Sequence, residues 1–195
     1  MKIAIKISLL LVLAGYSLLS DGQTFELSKT GTILSIKGTS SLHDWKMDLK
    51  EFNSGFRLRQ EGSLIKGFEN VTFTCKAKDI KSESSLMDNK AYNALKAEDF
   101  PEINFSGIST TAFVTEGKKF TGNLNGRLNV AGETRDVTIP FDGTFVDSNA
   151  INISVAYDLY MSSFNVNPPT FLFGALKTDD KISVSFSMQF VQKAQ

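Results

Sequence analysis

The chain has 195 residues, with 21 Lys and Arg and 21 Asp and Glu, so its formal net charge at pH 7 is zero. This balance gives no electrostatic attraction for nucleic acid or for an anionic membrane surface, which excludes the strongly basic classes of binding protein. A single cysteine, Cys75, excludes an intrachain disulfide, and the length suits one domain with a sizeable core.

The first 22 residues have the layout of a secretory signal peptide. Lys2 and Lys6 precede an apolar run of 13 residues, shorter than the roughly 20 residues that a membrane-spanning helix needs. Small residues precede a cleavage site before Gln23, and the loss of Lys2, Lys6 and Asp21 leaves 19 basic and 20 acidic side chains. We therefore expect residues 1–22 to be removed and residues 23–195 to form one domain. The expected location is periplasmic or secreted, without stable insertion in a membrane.

Most of the remaining chain alternates apolar and polar residues, which is typical of strands with one buried face. In chain order the apolar faces are Trp45, Met47 and Leu49; Val71, Phe73, Cys75 and Ala77; Ile103 and Phe105; Leu124, Leu128 and Val130; Val137, Ile139, Phe141 and Phe145; Ile151, Ile153, Val155, Tyr157, Leu159 and Met161; and Ile182, Val184, Phe186, Met188 and Phe190. Turn signals follow at 116–117, 131–133 and 147–149. The pattern predicts about eight or nine antiparallel strands, and it favours a closed barrel or a curled sandwich. Cys75 is in phase with its apolar neighbours, so we expect a buried thiol.

Residues 84–102 interrupt the alternation and predict a short helix. Asp88 is the predicted N-cap, and Pro101 ends any helix by Phe100. The apolar residues with roughly helical spacing are Leu86, Ala91 and Leu95. The helix either closes one end of a barrel or packs on the outside, and periodicity favours neither.

The stretch SLHDW, residues 41–45, holds the only histidine and the only tryptophan of the chain. If it is a strand, His43 and Asp44 point to opposite faces and cannot form the hydrogen bond of a catalytic triad. His43 is then either a rim residue near a ligand entrance or a packed structural residue. Trp45 is in phase with Met47 and Leu49, so we expect it inside a barrel or at its mouth.

The segment 162–180 is an unusually apolar loop held by Pro168 and Pro169. A loop of this composition either buries itself as a plug or forms a portal for a ligand. Its apolar residues are Phe164, Phe171, Leu172, Phe173 and Leu176.

Several motifs occur in an order that resembles the YceI-like, polyisoprenoid-binding family. The connector ends in DFPEINF, with Pro101, Ile103 and Phe105, and a hairpin follows with the sequence GNLNGRLNVAGETRDVTIPF. The SSFNV stretch and a final alternating strand complete the resemblance, which extends over roughly residues 25–192. The connector here has Met87-Asp88 where the family commonly has Arg-Asp.

The resemblance implies an all-β fold, an antiparallel eight-stranded, lipocalin-like barrel with a short helical insert. It further implies an exported protein that binds an isoprenoid or another long-chain lipid. The residues expected to contact the ligand are Trp45, Phe105, Phe141, Tyr157, Leu159, Met161, Phe164, Phe171, Phe173, Phe186 and Met188. No catalytic residue, metal ligand or cofactor motif is predicted. The alternative is a non-catalytic interaction module with a solid barrel core whose loops contact a protein or glycan; a hydrolytic enzyme lacks the necessary residues.

Overall fold

The alternating segments form strands in the computed structural model, which describes residues 23–28, 32–171 and 174–193. The expected signal peptide, residues 1–22, lies outside these ranges. The strands are β1 (Thr24–Leu27), β2 (Leu34–Ser40), β3 (Trp45–Leu49), β4 (Phe52–Glu61), β5 (Leu64–Lys76), β6 (Ile80–Lys81), β7 (Glu102–Glu116), β8 (Lys119–Val130), β9 (Glu133–Phe145), β10 (Ala150–Tyr160), β11 (Thr170–Phe171) and β12 (Leu176–Gln192). The described helices are α1 (Ser85–Ala94) and two 3₁₀ helices, Ala77–Asp79 and Met161–Phe164.

Eight strand positions close into an antiparallel barrel within the described residues. Their order is β1/β2, β3/β4, β5/β6, β7, β8, β9, β10 and β12, and the first three positions are each shared by two consecutive strands. β12 closes the ring because its last residues pair with β1 and its earlier residues pair with β2. The predicted eight-stranded, lipocalin-like barrel with a short helical insert is confirmed.

The two ends of the barrel differ. At one end, called the turn end here, short turns connect β4 to β5, β7 to β8 and β9 to β10. The opposite end, called the helix end, carries α1, the 3₁₀ helix Met161–Phe164 and the β8–β9 turn. In that turn Ala131 and Gly132 have φ angles of 52° and 83°, so both adopt the left-handed conformation of a tight hairpin turn. No helix in the described part of the chain combines the length and the hydropathy that crossing a bilayer requires.

Aromatic rings fill the turn end of the barrel. Four of them form a layer across the interior, called the aromatic floor here, which consists of Phe190, Phe56, Phe68 and Phe141. On the turn-end side Phe25, Phe113 and Phe120 pack against the floor, and Phe145 packs on Phe120. Buried rings contribute by their apolar area and by edge-to-face and offset contacts. The turn half of the barrel is therefore a solid core.

Candidate functional site

The helix half of the barrel encloses a cavity of about 790 Å³ with an almost entirely apolar lining. The aromatic floor closes the cavity on the side of the turn end, since all four floor rings belong to the lining. Its volume falls within the roughly 300–1,000 Å³ of small-molecule sites in proteins. The sequence left a hollow and a solid barrel as alternatives, and the structure combines the two, one in each half.

The ligand contacts predicted from the sequence converge on this cavity. The lining includes Trp45, Phe105, Phe141, Tyr157, Leu159, Met161, Phe164, Phe171, Phe186 and Met188. Phe173 lies outside the described residues. The face that the alternation assigned to each strand is thus the face turned toward the interior.

β10 and β12 form one continuous apolar wall. Their antiparallel register places Tyr157 beside Val184, Val155 beside Phe186, and Ile153 beside Met188. Side chains directly opposite each other on one sheet face are close enough to pack, so the wall presents paired side chains along its height. Burial raises the pKa of the Tyr157 phenol, which keeps this side chain neutral inside the wall.

Sequence reasoning missed the lining residues of the first strands. The cavity lining includes Leu34 and Ile36 of β2 and Phe56 of β4. In β4 every second residue, namely Phe52, Ser54, Phe56 and Leu58, lies on one strand face, and this period of two is a signal that could have identified the strand. Phe68 carries no such signal. It faces the interior together with Val71, three residues later, because Asn70 has a φ of 51° at an irregularity in the β4–β5 register.

The helix α1 covers the cavity, which decides between the two positions that the sequence allowed. Met87, Ala91 and Leu95 turn their side chains to the cavity lining. The hydroxyl of Tyr92 donates to the carbonyl oxygens of Lys78 and Ile80, at 2.9 and 3.0 Å, and fixes the helix to the barrel rim.

The predicted N-cap of α1 is wrong. Ser84 is the N-cap, and its hydroxyl accepts a hydrogen bond from the Met87 amide at 3.4 Å. Asp88 lies one turn into the helix and is buried. Its carboxylate accepts hydrogen bonds from the Ser82 amide and hydroxyl, each at 2.7 Å. Asp88 therefore fixes Ser82, in the segment just before the helix. N-cap preferences describe the residue at the start of a helix and do not predict a role for a residue one turn inside it.

The apolar loop after β10 divides into a fixed part and a part at the cavity opening. Phe164 and Val166 are buried in a cluster with Phe105, Leu128 and Ala131. Arg135 Nε donates to the Ser163 carbonyl at 2.7 Å, and Asn165 Nδ2 donates to the Glu133 carboxylate at 2.7 Å, so both hold this part to the rim. Beyond it, Pro169 and Phe171 line the cavity. The first part is thus a plug in the rim. The second borders the opening, and its role as a ligand portal stays a prediction.

The cavity reaches the surface at an opening, called the mouth here, between α1, the loop before β3 and the segment around Phe171. Three apolar residues belong both to the lining and to the exposed surface: Leu42, Leu86 and Tyr160, with 65%, 61% and 53% of their surface exposed. Lys90 is the only Lys, Arg, Asp or Glu among the described lining residues, and its Nζ lies 5.6 Å from the centroid of the Phe171 ring. The site is therefore apolar inside, with one cation at its mouth.

The SLHDW stretch lies at this mouth, but residues 41–44 are not a strand. The strand prediction is wrong there because the Ser40 hydroxyl organises a turn: it accepts from the His43 amide at 3.2 Å and donates to the His43 carbonyl at 2.8 Å. The Nδ1 of His43 lies 2.7 Å from the backbone carbonyl oxygen of Asp44. This geometry turns the imidazole toward the backbone of its own turn.

Trp45 begins β3 and lies over a glycine of the neighbouring strand. A Cβ on Gly38 would be 2.2 Å from the indole ring, so only glycine at position 38 accommodates the ring in this place. The indole Nε1 donates to the Thr39 carbonyl at 3.1 Å, which satisfies its one polar atom. The apolar remainder of the ring faces the cavity.

Cys75 is a buried wall residue, as the sequence predicted. Burial, with a further contribution from Asp79 and Glu102, raises the pKa of its thiol to about 12. A neutral thiol is a poor nucleophile, so Cys75 behaves as an apolar side chain. Among the described residues no group of three or more His, Cys, Asp or Glu side chains is placed to hold a metal ion.

Comparison with known proteins places this geometry in a family. A family model described as YceI-like domain matches residues 22–190. No curated protein matches the chain.

Several solved structures share the fold. BcnA of Burkholderia cenocepacia superposes with a TM-score of 0.66 at 13% identity, over 84% of this chain and 98% of that one. A polyisoprenoid binding domain from Saccharophagus degradans, implicated in plant cell wall breakdown, gives 0.68 at 7% identity, over 88% and 99%. The YceI protein of Campylobacter jejuni gives 0.58 at 16% identity, over 76% and 85%. At these identities the likeness concerns the fold.

Proposed function

Since the chain belongs to the YceI-like domain family, we propose that it is an exported protein that carries or sequesters an isoprenoid-type amphiphile inside its barrel. The observation that carries this proposal is the apolar cavity above the aromatic floor, open at one mouth. The solved polyisoprenoid binding domain with the same fold supports an isoprenoid tail as the ligand class. The role is binding, without a chemical step.

The cavity suits a flexible apolar tail for an energetic reason. Each buried CH₂ group contributes about 0.8 kcal/mol, so ten of them supply roughly 8 kcal/mol before the cost of ordering the tail. The lining mixes aromatic rings with Met47, Met87, Met161 and Met188, and methionine side chains adapt their shape to an irregular ligand. Affinity therefore needs no buried ion pair.

The distribution of polar groups gives the ligand an orientation. Among the described lining residues the interior wall has no charged side chain, whereas the mouth carries Lys90, His43 and the hydroxyl of Tyr160. A polar head group would pay a desolvation penalty inside and none at the mouth. The tail therefore enters first and reaches the floor, and the head group stays beside Lys90.

Organic extraction tests the proposal. The protein is purified without detergent, extracted, and the extract analysed by mass spectrometry for lipids with prenyl repeats. The matched control is Val184→Trp, which narrows the cavity from its wall. We expect a prenyl lipid from the native chain and much less from the control. A native extract without prenyl lipid would favour the alternative, an interaction module in which the barrel is a scaffold and the loops contact a protein or glycan. Equal amounts of prenyl lipid from both proteins would place the lipid outside the cavity.

Export is tested separately. The intact mass of the protein isolated from the producing cells should correspond to a chain that begins at Gln23, since cleavage there removes the expected signal peptide. Recovery of the uncleaved chain from the cytoplasm would contradict export and leave the lipid-binding proposal unaffected.

A further inference from the structure

We propose that the aromatic floor is a ruler that limits the length of the tail to about five isoprene units. This inference rests on the proposed lipid binding and specifies the ligand further. It names four residues that set chain-length specificity without contacting the head group: Phe190, Phe56, Phe68 and Phe141.

The floor crosses the whole interior. Its rings come from β12, β4, β5 and β9, and consecutive centroids are 4.9 Å apart from Phe190 to Phe56, 4.5 Å from Phe56 to Phe68, and 5.2 Å from Phe68 to Phe141. Such distances are those of rings in direct contact, which leaves no channel for a tail between them. The chain of rings thus spans the barrel from one wall to the other, and the fully buried Phe25, Phe120 and Ile151 lie outside the cavity lining.

The floor is also supported from the turn end. Phe25 stacks on Phe56 with a centroid distance of 5.5 Å, and Phe120 lies 5.6 Å from Phe68. The backbone of Phe68 is fixed by the buried Thr110, whose hydroxyl accepts from the Phe68 amide at 2.9 Å and donates to the Phe68 carbonyl at 2.7 Å. A tail cannot displace these rings without disrupting a close-packed core, so the depth of the cavity is fixed.

The volume above the floor converts into a chain length. One water molecule occupies about 30 Å³ in the liquid, and we take the same volume for one carbon atom of a packed tail. The cavity of about 790 Å³ therefore accommodates roughly 25 carbon atoms, or about five isoprene units, on that volume per atom. Further units would remain at the mouth and add little to the affinity.

A length series tests the ruler. The probes are all-trans prenyl alcohols of about three to about nine isoprene units, and affinity is measured by displacement of a fluorescent fatty acid. For the native chain we expect affinity to rise with length and to level off near five units, since only buried groups contribute. Phe141→Ala removes a ring from the floor, so the levelling point should move to a tail about one unit longer.

Two further variants keep the test decisive if Phe141→Ala folds poorly. Val155 lies directly opposite the floor residue Phe141 in the β9–β10 register and lines the cavity at the edge of the floor. Val155→Phe should move the levelling point to a tail about one unit shorter, because the added ring atoms occupy the space of about that many carbons. Phe145→Ala is the matched control, since Phe145 contacts Phe120 outside the cavity lining, and its levelling point should equal that of the native chain.

The outcomes separate the ruler from the proposed function. Shifts of opposite sign in Phe141→Ala and Val155→Phe, with none in Phe145→Ala, establish the ruler. Binding that rises without limit, or that levels off at one length in all variants, overturns the ruler and leaves lipid binding intact. A native chain that binds no member of the series overturns lipid binding of this class and the ruler with it.

Discussion

The cavity and the outer surface of the barrel can be distinguished by placing the same bulky residue on either side of one wall. Val184 lines the cavity from β12, and Ala156 is an exposed residue of β10 that pairs with Ser185, the next residue along. Val184→Trp and Ala156→Trp therefore introduce an indole at nearly the same height, on opposite faces of the wall. Only the first should reduce lipid binding.

The expected loss follows from the space that the indole occupies. Tryptophan has about seven more heavy atoms than valine, and displacing a similar number of tail carbons removes roughly 5–6 kcal/mol of gross burial energy. The tail can withdraw toward the mouth and recover part of that, so we expect a net loss of about 2 kcal/mol, or about 30-fold in Kd. Inserting extra atoms into a filled core destabilises a protein by about 1–3 kcal/mol. The indole enters space that the protein leaves empty, so we expect a smaller change in the free energy of unfolding.

Displacement of a fluorescent fatty acid measures the loss, and thermal unfolding reports whether each variant is folded. Displacement is preferable to intrinsic emission here, since each variant adds a second indole to Trp45. Equal affinities for Val184→Trp and Ala156→Trp, with both variants folded, would refute the assignment of the cavity as the binding site.

Four further outcomes follow from individual residues. Prenyl lipid added to delipidated protein should change the emission of Trp45 saturably, since the indole lines the cavity; constant emission at measured occupancy would place the ligand elsewhere. Phe120→Ala should lower the free energy of unfolding in urea by about 3–5 kcal/mol, because the ring is 1% exposed and packs on Phe68, Phe113, Phe141 and Phe145; a loss below about 1 kcal/mol would argue against a solid turn half. Cys75, with its thiol pKa raised from 9.0 to about 12, should resist iodoacetamide in the native state near neutral pH, and its contribution to stability should be complete below pH 9.0 and lost as the pH rises toward 12; rapid alkylation of native protein would contradict its burial. His43→Ala should leave the rates of ester and peptide hydrolysis unchanged, and a rate that vanishes in this variant would indicate an enzyme.

The later strands were predictable from the sequence and several earlier ones were not, for a physical reason. From β8 to β12 the side chains alternate with little interruption, so period two identifies both the strand and its inner face. β5 changes phase at Asn70, and β7 has two register shifts, so alternation fails there although the strands are long. Irregularities of this kind depend on neighbouring strands, which local sequence does not reveal.

No local sequence pattern marks the border between the hollow half and the solid half of the barrel. Phe186 and Phe190 lie on the same face of β12, four residues apart, in one alternating run. Phe186 lines the cavity wall and Phe190 belongs to the floor, because the stagger of the strands brings Phe56 against Phe190 and leaves Phe186 facing open space. Whether a ring packs or lines a void is therefore decided by the register around the whole barrel, which emerges only on closure.

This division also explains how the barrel tolerates a large apolar cavity. Side chains around a void lose the dispersion contacts that a filled core provides, so a hollow half is less stable than a packed one. The turn half compensates, since its rings are buried or partly buried and pack on one another, and β12 closes the barrel there by pairing with β1. The helix half is covered by α1, which is fixed at the rim by Tyr92 and Asp88, and by the buried cluster around Phe164. Under the proposed function, a tail that fills the void would restore the missing contacts in this half, so occupancy should stabilise the protein where its own packing is weakest.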